Sequence, residues 1–294
     1  MSTSDNKPSI TIFRGWKDFG KHVWSPFVIK LEARMRFAGI KYAVDVGSPK
    51  TGPKGKIPYV ECKQNKSLDG GPAADDYEEV QQLADSTLII KTLVQWGELP
   101  DLNAALSSTD GAKDMALRAL LEDKLYFYHM WERWILNYYT MRDHALGAIP
   151  YPVRIVVGLI IYRGQLSTLH GQGTGRYSGQ EIAAFRYEIW ESINALLLEA
   201  RRQQQQQQQA QSASTASTVG AQADQQLPPP PPFWVLGRDQ PTEADATLFA
   251  FIVSVLISTA APDSQRVVRA FPVILDYAQR IQDQYFPDYE KWSV

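Results

Sequence analysis

The N-terminal part of the chain alternates short apolar runs with polar loops, a pattern that predicts strands packed around helices. The run Ile10–Phe13 is rich in β-branched and aromatic residues and indicates a strand. Ser25 and Pro26 then predict a helix start, because serine is a favoured N-cap and proline suits the first helical position. Gly39 is the predicted stop of this helix.

Further strands and a second helix are predicted in the same part of the chain. Residues 42–46 and 57–61 each indicate a strand, and 62–68 is expected to complete a hairpin. A helix is predicted from 86 to 94. The resulting order of strand, helix, strand, then strand, strand, helix is the compact order of a thioredoxin-like fold.

A change in apolar spacing divides the chain into two domains. We assign 9–97, with an acidic insert at about 69–82, to the thioredoxin-like domain and 98–294 to an α-helical domain. Three apolar stripes at helical spacing support the second assignment: Leu117, Leu120, Leu121 and Leu125; Ile189, Ile193, Leu196 and Leu197; Ile274, Tyr277, Ala278 and Ile281. The segment 203–232 has seven consecutive glutamines and five consecutive prolines, so it is predicted to be a disordered surface loop with little to bury.

Composition and charge narrow the class of protein. The chain is 44% hydrophobic with a net charge of −2, which gives no electrostatic reason to expect nucleic acid. Its single cysteine, Cys62, cannot form an internal disulfide and suits a reducing compartment, so a cytoplasmic location is expected. The uncharged stretch Ala246–Ala261 is shorter than the ~20 residues of a membrane span and is predicted to be a buried core helix. His129 and His144 have no cysteine near them, so no metal is expected.

Three short motifs occur in order along the chain: Lys56-Ile57-Pro58, Asp85-Ser86 and Thr242-Glu243-Ala244-Asp245. In this order they resemble elements of the glutathione transferases: a cis-proline at the substrate edge, an acid–serine pair that holds the γ-glutamyl end of glutathione, and a capping box in the helical core. Within that superfamily the chain is most similar to the failed-axon-connections and metaxin-like branch. The motifs that carry this closer resemblance include Phe13-Arg14-Gly15-Trp16, Ser25-Pro26-Phe27, Ser48-Pro49-Lys50 and Tyr285-Phe286-Pro287-Asp288-Tyr289.

The resemblance implies glutathione as a co-substrate, held between the thioredoxin-like domain and the helical domain. The substrate-binding residues it implies are Trp16, Lys56, Ile57, Pro58, Asp85 and Ser86. Pro58 is expected to be cis, with a trans proline at the strand start as the alternative. Free N–H groups at a helix start attract a carboxylate, yet Asp85 or Ser86 would also serve as a plain helix cap, and the two roles are compatible.

Ser25 is the candidate catalytic residue. In transferases of this fold a Ser, Cys or Tyr near the first helix donates to the sulfur of glutathione, and the resulting thiolate is the nucleophile. The same residue is expected to cap its helix, and a cap alone would explain the Ser-Pro pair. Trp16 or Trp24 stays open as an alternative donor.

Two functions of different classes are compatible with the sequence. The first is a glutathione-transferase-like protein that binds glutathione and conjugates it to an apolar small molecule; dimerisation is common among such enzymes. The second is a metaxin-like adaptor that keeps the fold without catalysis and binds protein partners through the acidic insert or the segment 203–232. Family analogy adds a mitochondrial outer-membrane association as the alternative location.

Overall fold

The computed structural model describes residues 9–65, 78–215 and 230–293. The N-terminal domain contains β1 (Ile10–Phe13), α1 (Pro26–Phe37), β2 (Ala43–Asp45), β3 (Tyr59–Asn65), β4 (Glu78–Ala84) and α2 (Ser86–Gln95). The four strands form one mixed sheet in the order β2-β1-β3-β4, in which only the β1–β2 pair is parallel. This arrangement is a thioredoxin-like fold, as predicted.

The core of this domain lies between the sheet and its two helices. Ile12 and Val60 are fully buried on the face of the sheet that meets α1 and α2. Leu31 of α1 and Ile89 of α2 pack against them. The alternation of buried and partly exposed residues along β1 is the pattern of a strand with one covered face.

The sequence predicted the wrong second strand for the hairpin that begins with β3. Residues 62–65 continue β3 instead of returning along it, and the returning strand is β4, whose Ala84 pairs with Tyr59. The acidic insert predicted at 69–82 is therefore shorter, because 78–82 belong to β4. Its Glu78, Glu79, Gln81 and Gln82 lack the apolar content by which a strand is usually detected. Residues 66–77 lie outside the described residues.

The second domain is helical throughout the described residues. Its elements are α3 (Ser108–Ala119), a π-helical segment (Leu120–Leu125), α4 (Tyr126–Met130), a second π-helical segment (Trp131–Leu136), α5 (Tyr138–Ala145), α6 (Tyr151–Gln172), a 3₁₀ turn (Thr174–Arg176), α7 (Gly179–Thr215), α8 (Glu243–Ile257), α9 (Pro262–Arg269) and α10 (Pro272–Tyr285). The segments from α3 to the end of the second π-helical segment follow one another without a break.

Helix α8 forms the centre of the helical domain. Its side chains are buried on every side from Glu243 to Leu256, and the helix packs extensively against α1 of the first domain. The predicted core helix is thus confirmed. In the described residues no single helix is long and apolar enough to cross a membrane, although α8 and α9 together would be, with a bend of 119° between them.

Helix α7 extends through the glutamine run, which differs from the loop predicted at 203–232. The helix continues to Thr215 because glutamine is a fair helix former and extending an existing helix requires no new apolar burial. Gln203 donates to Glu199 one turn earlier at 3.1 Å, and Gln204 donates to the Pro232 carbonyl at 2.6 Å. Residues 216–229 lie outside the described residues.

Candidate functional site

The register of the sheet brings three predicted segments to one end. Phe13 pairs with Tyr59, and Tyr59 pairs with Ala84. The residues beyond these partners are the loop after β1, Pro58 before β3 and Asp85 after β4, so all three lie at the same end of the sheet. Because β1 and β2 are parallel, the connecting helix α1 begins at this end as well.

Ser25 stands at the start of α1, but its hydroxyl does not cap the helix. The residue is half-buried and extended (φ −81°, ψ 115°), and only its carbonyl joins the helix, accepting from the Ile29 N–H at 3.2 Å. Pro26 follows and has no N–H to offer. The expected side-chain cap is therefore wrong, and the hydroxyl has no partner among the described residues.

The Ile57–Pro58 peptide bond is cis, which confirms that prediction. Gly15, in the loop after β1, has φ +86°, and a Cβ at this position would lie 2.5 Å from Ile57 Cδ1. The positive φ favours glycine here, and the loop lies close against the end of the Ile57 side chain. In the described part of the chain, the main-chain N–H and C=O of Ile57 have no hydrogen-bond partner. This short segment presents a free donor and a free acceptor beside the loop.

Asp85 and Ser86 differ in their hydrogen bonds at the start of α2. Asp85 caps α2, since its carboxylate accepts from the N–H groups of Thr87 at 3.1 Å and Leu88 at 3.2 Å. Its φ of +77° is rare for a non-glycine residue. Ser86 is buried, and its hydroxyl makes no hydrogen bond with the residues that the structure describes. The start of α2 therefore keeps one hydroxyl available for a ligand.

Trp16 contributes to a stack of rings that joins the two domains. The imidazole of His144, on α5, lies against Trp24 with ring centroids 3.5 Å apart and against Trp16 at 5.7 Å. Burial lowers the pKa of His144 below its usual value, so this ring is neutral at neutral pH. Its Nε2 is buried without a partner in the described residues. The stack places the helical domain directly beside Ser25.

The backbone that precedes Ser25 is fixed by the helical domain. The Trp24 carbonyl accepts from Arg133 Nη1 at 3.0 Å and from Ser254 Oγ at 2.7 Å. Arg133 also donates to the Ser254 carbonyl at 2.7 Å. Sequence reasoning missed Arg133, Ser254 and the stacking role of His144. No local signal could have identified them, because they lie more than a hundred residues from the loop that they contact.

The remaining candidate side chains near the sheet differ in whether they are exposed to a ligand. Lys56 is exposed beside Ile57. Cys62 is buried in β3, and burial raises the pKa of its thiol to about 11, so it is a neutral core residue. No group of three or more His, Cys, Asp or Glu side chains in the described residues is arranged to hold a metal ion.

A cavity of about 290 Å³ lies between the two domains. Its walls come from α1, α2, α3, α8 and the segment that links the domains, and include Lys30, Thr87, Asn103 and Glu243. Lys30 Nζ bonds Thr87 Oγ1 at 2.9 Å and Glu122 at 2.6 Å, so its charge is already paired. The predicted site residues do not line this cavity.

The architecture and the site define a protein with the two-domain fold of the glutathione transferases. Residues 26–141 match the family described as glutathione S-transferase N-terminal domain. Glutathione transferase GSTFuA3 from Phanerochaete chrysosporium has a similar structure, with a TM-score of 0.52 and 15% identity over 98% of this chain and 99% of that one. Ure2p, solved in complex with glutathione, matches with a TM-score of 0.50 and 10% identity over 97% and 94%.

These matches establish the fold, and the matched N-terminal segment is similar to a glutathione S-transferase domain family. No curated protein sequence matches the chain.

Proposed function

We propose that this protein binds glutathione at the end of the sheet where α1 and α2 begin. The observation that supports this most directly is that three groups converge there without protein partners among the described residues: the Ser25 hydroxyl, the main chain of Ile57 and the Ser86 hydroxyl. An extended peptide would pair with Ile57 as one strand pairs with another. Its γ-glutamyl carboxylate would accept from Ser86 at the start of α2, where helix N–H groups favour an anion.

The rest of the predicted site fits the same orientation of glutathione. Lys56 is exposed next to Ile57 and suits the glycyl carboxylate at the other end of the tripeptide. Asp85 binds the N–H groups of Thr87 and Leu88, which fixes the helix start that presents Ser86. Trp16 lies in the loop that reaches Ile57 and borders the helical domain.

The proposed chemistry is conjugation through a thiolate. The Ser25 hydroxyl donates a hydrogen bond to the sulfur, which stabilises the thiolate and lowers the pKa of the glutathione thiol. The thiol proton passes to water, and a sulfur lone pair forms a bond to an electrophilic carbon. A leaving group departs with its bonding electrons, or the electrons of an activated double bond move to an accepting atom. The apolar electrophile would face the helical domain, where Trp16 and His144 lie.

The second candidate is an adaptor of the metaxin-like branch, which would keep this fold without glutathione. The closing motif that suggested this branch has a structural role that supports either function. Tyr289 donates to Glu32 of α1 at 2.9 Å, and Arg36 pairs with Asp288. The chain terminus is thereby held against the first domain whether or not a ligand binds.

Calorimetric titration with reduced glutathione tests the proposal. The matched variants are Ser86→Ala and, as a control, Ser107→Ala, which removes another helix-start serine on α3. Ser86→Ala is expected to weaken binding about tenfold, because a hydrogen bond to a charged group contributes roughly 1.5 kcal/mol. Ser107→Ala should leave the affinity unchanged. Wild-type protein that does not bind glutathione would instead favour the adaptor.

Ser25→Ala separates binding from activation. This variant is expected to retain glutathione affinity but to lose the lowered pKa of the bound thiol, measured by thiolate absorbance against pH. An unchanged thiol pKa in Ser25→Ala would remove Ser25 from the mechanism, and Trp16→Phe and Trp24→Phe would then be measured in the same way.

A further inference from the structure

Helix α6 exposes most of its apolar side chains. Ile160 is 66% exposed and Val156 is 58% exposed, and the buried positions of the helix are Gly158 and Leu169. The exposed apolar residues of α6 are Tyr151, Val153, Ile155, Val156, Leu159, Ile160 and Leu166. A soluble surface rarely carries so many large apolar side chains on one helix unless it contacts something.

The packing of α6 explains why this side faces outward. A Cβ at Gly158 would lie 2.7 Å from Tyr138 Oη and 2.8 Å from Arg142 Cδ, so glycine allows α6 to lie close against α5. The face centred on Gly158 is therefore the buried one. Val153, Val156 and Ile160 of the first three turns are left on the outer side, where the described residues leave them exposed.

This part of the chain is basic although the whole chain is not. Residues 138–177 contain four arginines and one acidic residue, whereas the net charge of the chain is −2. The one acid, Asp143, is paired with Arg142 at 2.7 Å and lies 3.6 Å from Arg154. Arg163 is exposed on α6 beside the apolar residues. The outer side of α6 thus combines apolar surface with the positive charge of Arg163.

Exposed tyrosines lie at the corner between α5 and α6, around Arg142. The guanidinium of Arg142 lies 5.7, 5.3 and 5.8 Å from the ring centroids of Tyr138, Tyr139 and Tyr151. Tyr139 and Tyr151 are 71% and 60% exposed. A tyrosine has an apolar ring and a polar hydroxyl, so it is favoured where hydrocarbon meets water.

We propose that the outer side of α6, together with Tyr139, docks onto an anionic lipid bilayer and lies in its interface. Apolar side chains, arginines and bordering tyrosines are the three features that such a surface uses. A second copy of the chain fits less well, because a symmetric contact would bury the exposed Arg163 of both copies between two surfaces of the same sign. Helix α6 would lie on the membrane and not cross it, since no single described helix is long and apolar enough to span.

Vesicle co-sedimentation of the full chain tests this proposal. The wild type should bind vesicles of phosphatidylcholine with phosphatidylserine and bind phosphatidylcholine alone more weakly. Ile160→Glu should weaken binding by at least about tenfold, because it places a negative charge in the interface. Met115→Glu is the matched control: Met115 is 62% exposed on α3, away from this surface, and its replacement should change nothing. Arg163→Gln should weaken binding about fivefold and reduce its salt dependence.

Three results would overturn the proposal. The first is wild-type protein that does not sediment with anionic vesicles. The second is equal sedimentation of Ile160→Glu and Met115→Glu. The third is a concentration-dependent dimer in analytical ultracentrifugation that Ile160→Glu dissociates while vesicle binding is unaffected, which would assign the surface to a second copy. Circular dichroism of each variant confirms that it has folded.

Discussion

His22 is enclosed by the C-terminal segment and, among the described residues, has one hydrogen-bond partner for its two ring nitrogens. Its Nε2 lies 2.7 Å from Gln282 Oε1, and its Nδ1 is buried without a partner in the described residues. The imidazole contacts the rings of Phe286 and Tyr289. Burial lowers the pKa of His22 to about 4, and the nearby guanidiniums of Arg14 and Arg36 act in the same direction.

The lowered pKa predicts a loss of stability in acid. Between pH 6.5 and 4 the unfolded chain binds a proton at His22 that the folded protein excludes, so the free energy of unfolding falls as the pH falls. The total decrease in the free energy of unfolding over this range is about 3 kcal/mol. In His22→Gln, whose amide can still donate to Gln282, this part of the pH dependence should disappear. Urea unfolding at several pH values measures it.

The comparison between variant and wild type is needed because other buried groups titrate in the same range. Burial raises the pKa of Glu32 to about 7, which favours the folded state at low pH and opposes the effect of His22. Burial also lowers the pKa of His129. Parallel stability curves for the wild type and His22→Gln from pH 7 to pH 4 would contradict the prediction.

At the scale of secondary-structure elements, the two helix starts of the first domain behave differently. Asp85 satisfies two N–H groups of α2 through its carboxylate, whereas Ser25 satisfies none of α1 through its hydroxyl. We therefore expect Asp85→Ala to lower the free energy of unfolding by about 1 kcal/mol or more and Ser25→Ala to change it by less than about 0.5 kcal/mol. Thermal or urea unfolding of the two variants gives the comparison. Equal losses would mean that Ser25 does cap its helix.

Local signals predicted the elements wherever one residue type determines the structure. Pro26 and Gly39 bracket α1, and the Thr242 N–H donates to the Asp245 carboxylate at 2.8 Å, as the capping-box spacing predicts. The prediction failed where the environment decides. Strand β4 exists because it pairs with β3, and α7 continues through the glutamines because a helix already precedes them.

Only the part of the candidate site that the N-terminal domain forms was predictable from the sequence. The motifs around Ser25, Pro58 and Ser86 are local in sequence, and the register of the sheet brings them together. The contribution of the helical domain was not predictable, because Arg133 and His144 approach Trp24 only through tertiary packing. Neither residue has a neighbour in sequence that would indicate this contact.

At the scale of the whole molecule, the domains are joined by buried polar contacts as well as by the packing of α1 on α8. Arg34 of α1 bonds Glu243 at the start of α8 at 2.5 Å. Arg133 reaches in the other direction, from the helical domain to the Trp24 carbonyl. Such contacts lie across the junction between the domains, and they require both domains to be folded and docked before they form.

Arg133→Met tests whether this docking also orders the segment before Ser25. The variant loses the hydrogen bonds to Trp24 and Ser254 and leaves the Ser254 carbonyl without its partner, so the free energy of unfolding should fall by about 2–3 kcal/mol. Hydrogen exchange should increase in the loop 16–25 and not in β1 or β3, since the core of the sheet is independent of Arg133.

The control for this variant is Arg202→Met, which removes an exposed pair with Glu199 on α7 and should alter stability by less than about 0.5 kcal/mol. If exchange in the loop is the same in Arg133→Met and in the wild type, the helical domain does not order that segment, and the position of Ser25 is fixed by the first domain alone. If only the loop exchanges faster, the geometry of the candidate site depends on both domains. A change on the helical side would then alter the proposed glutathione binding without touching the ligand.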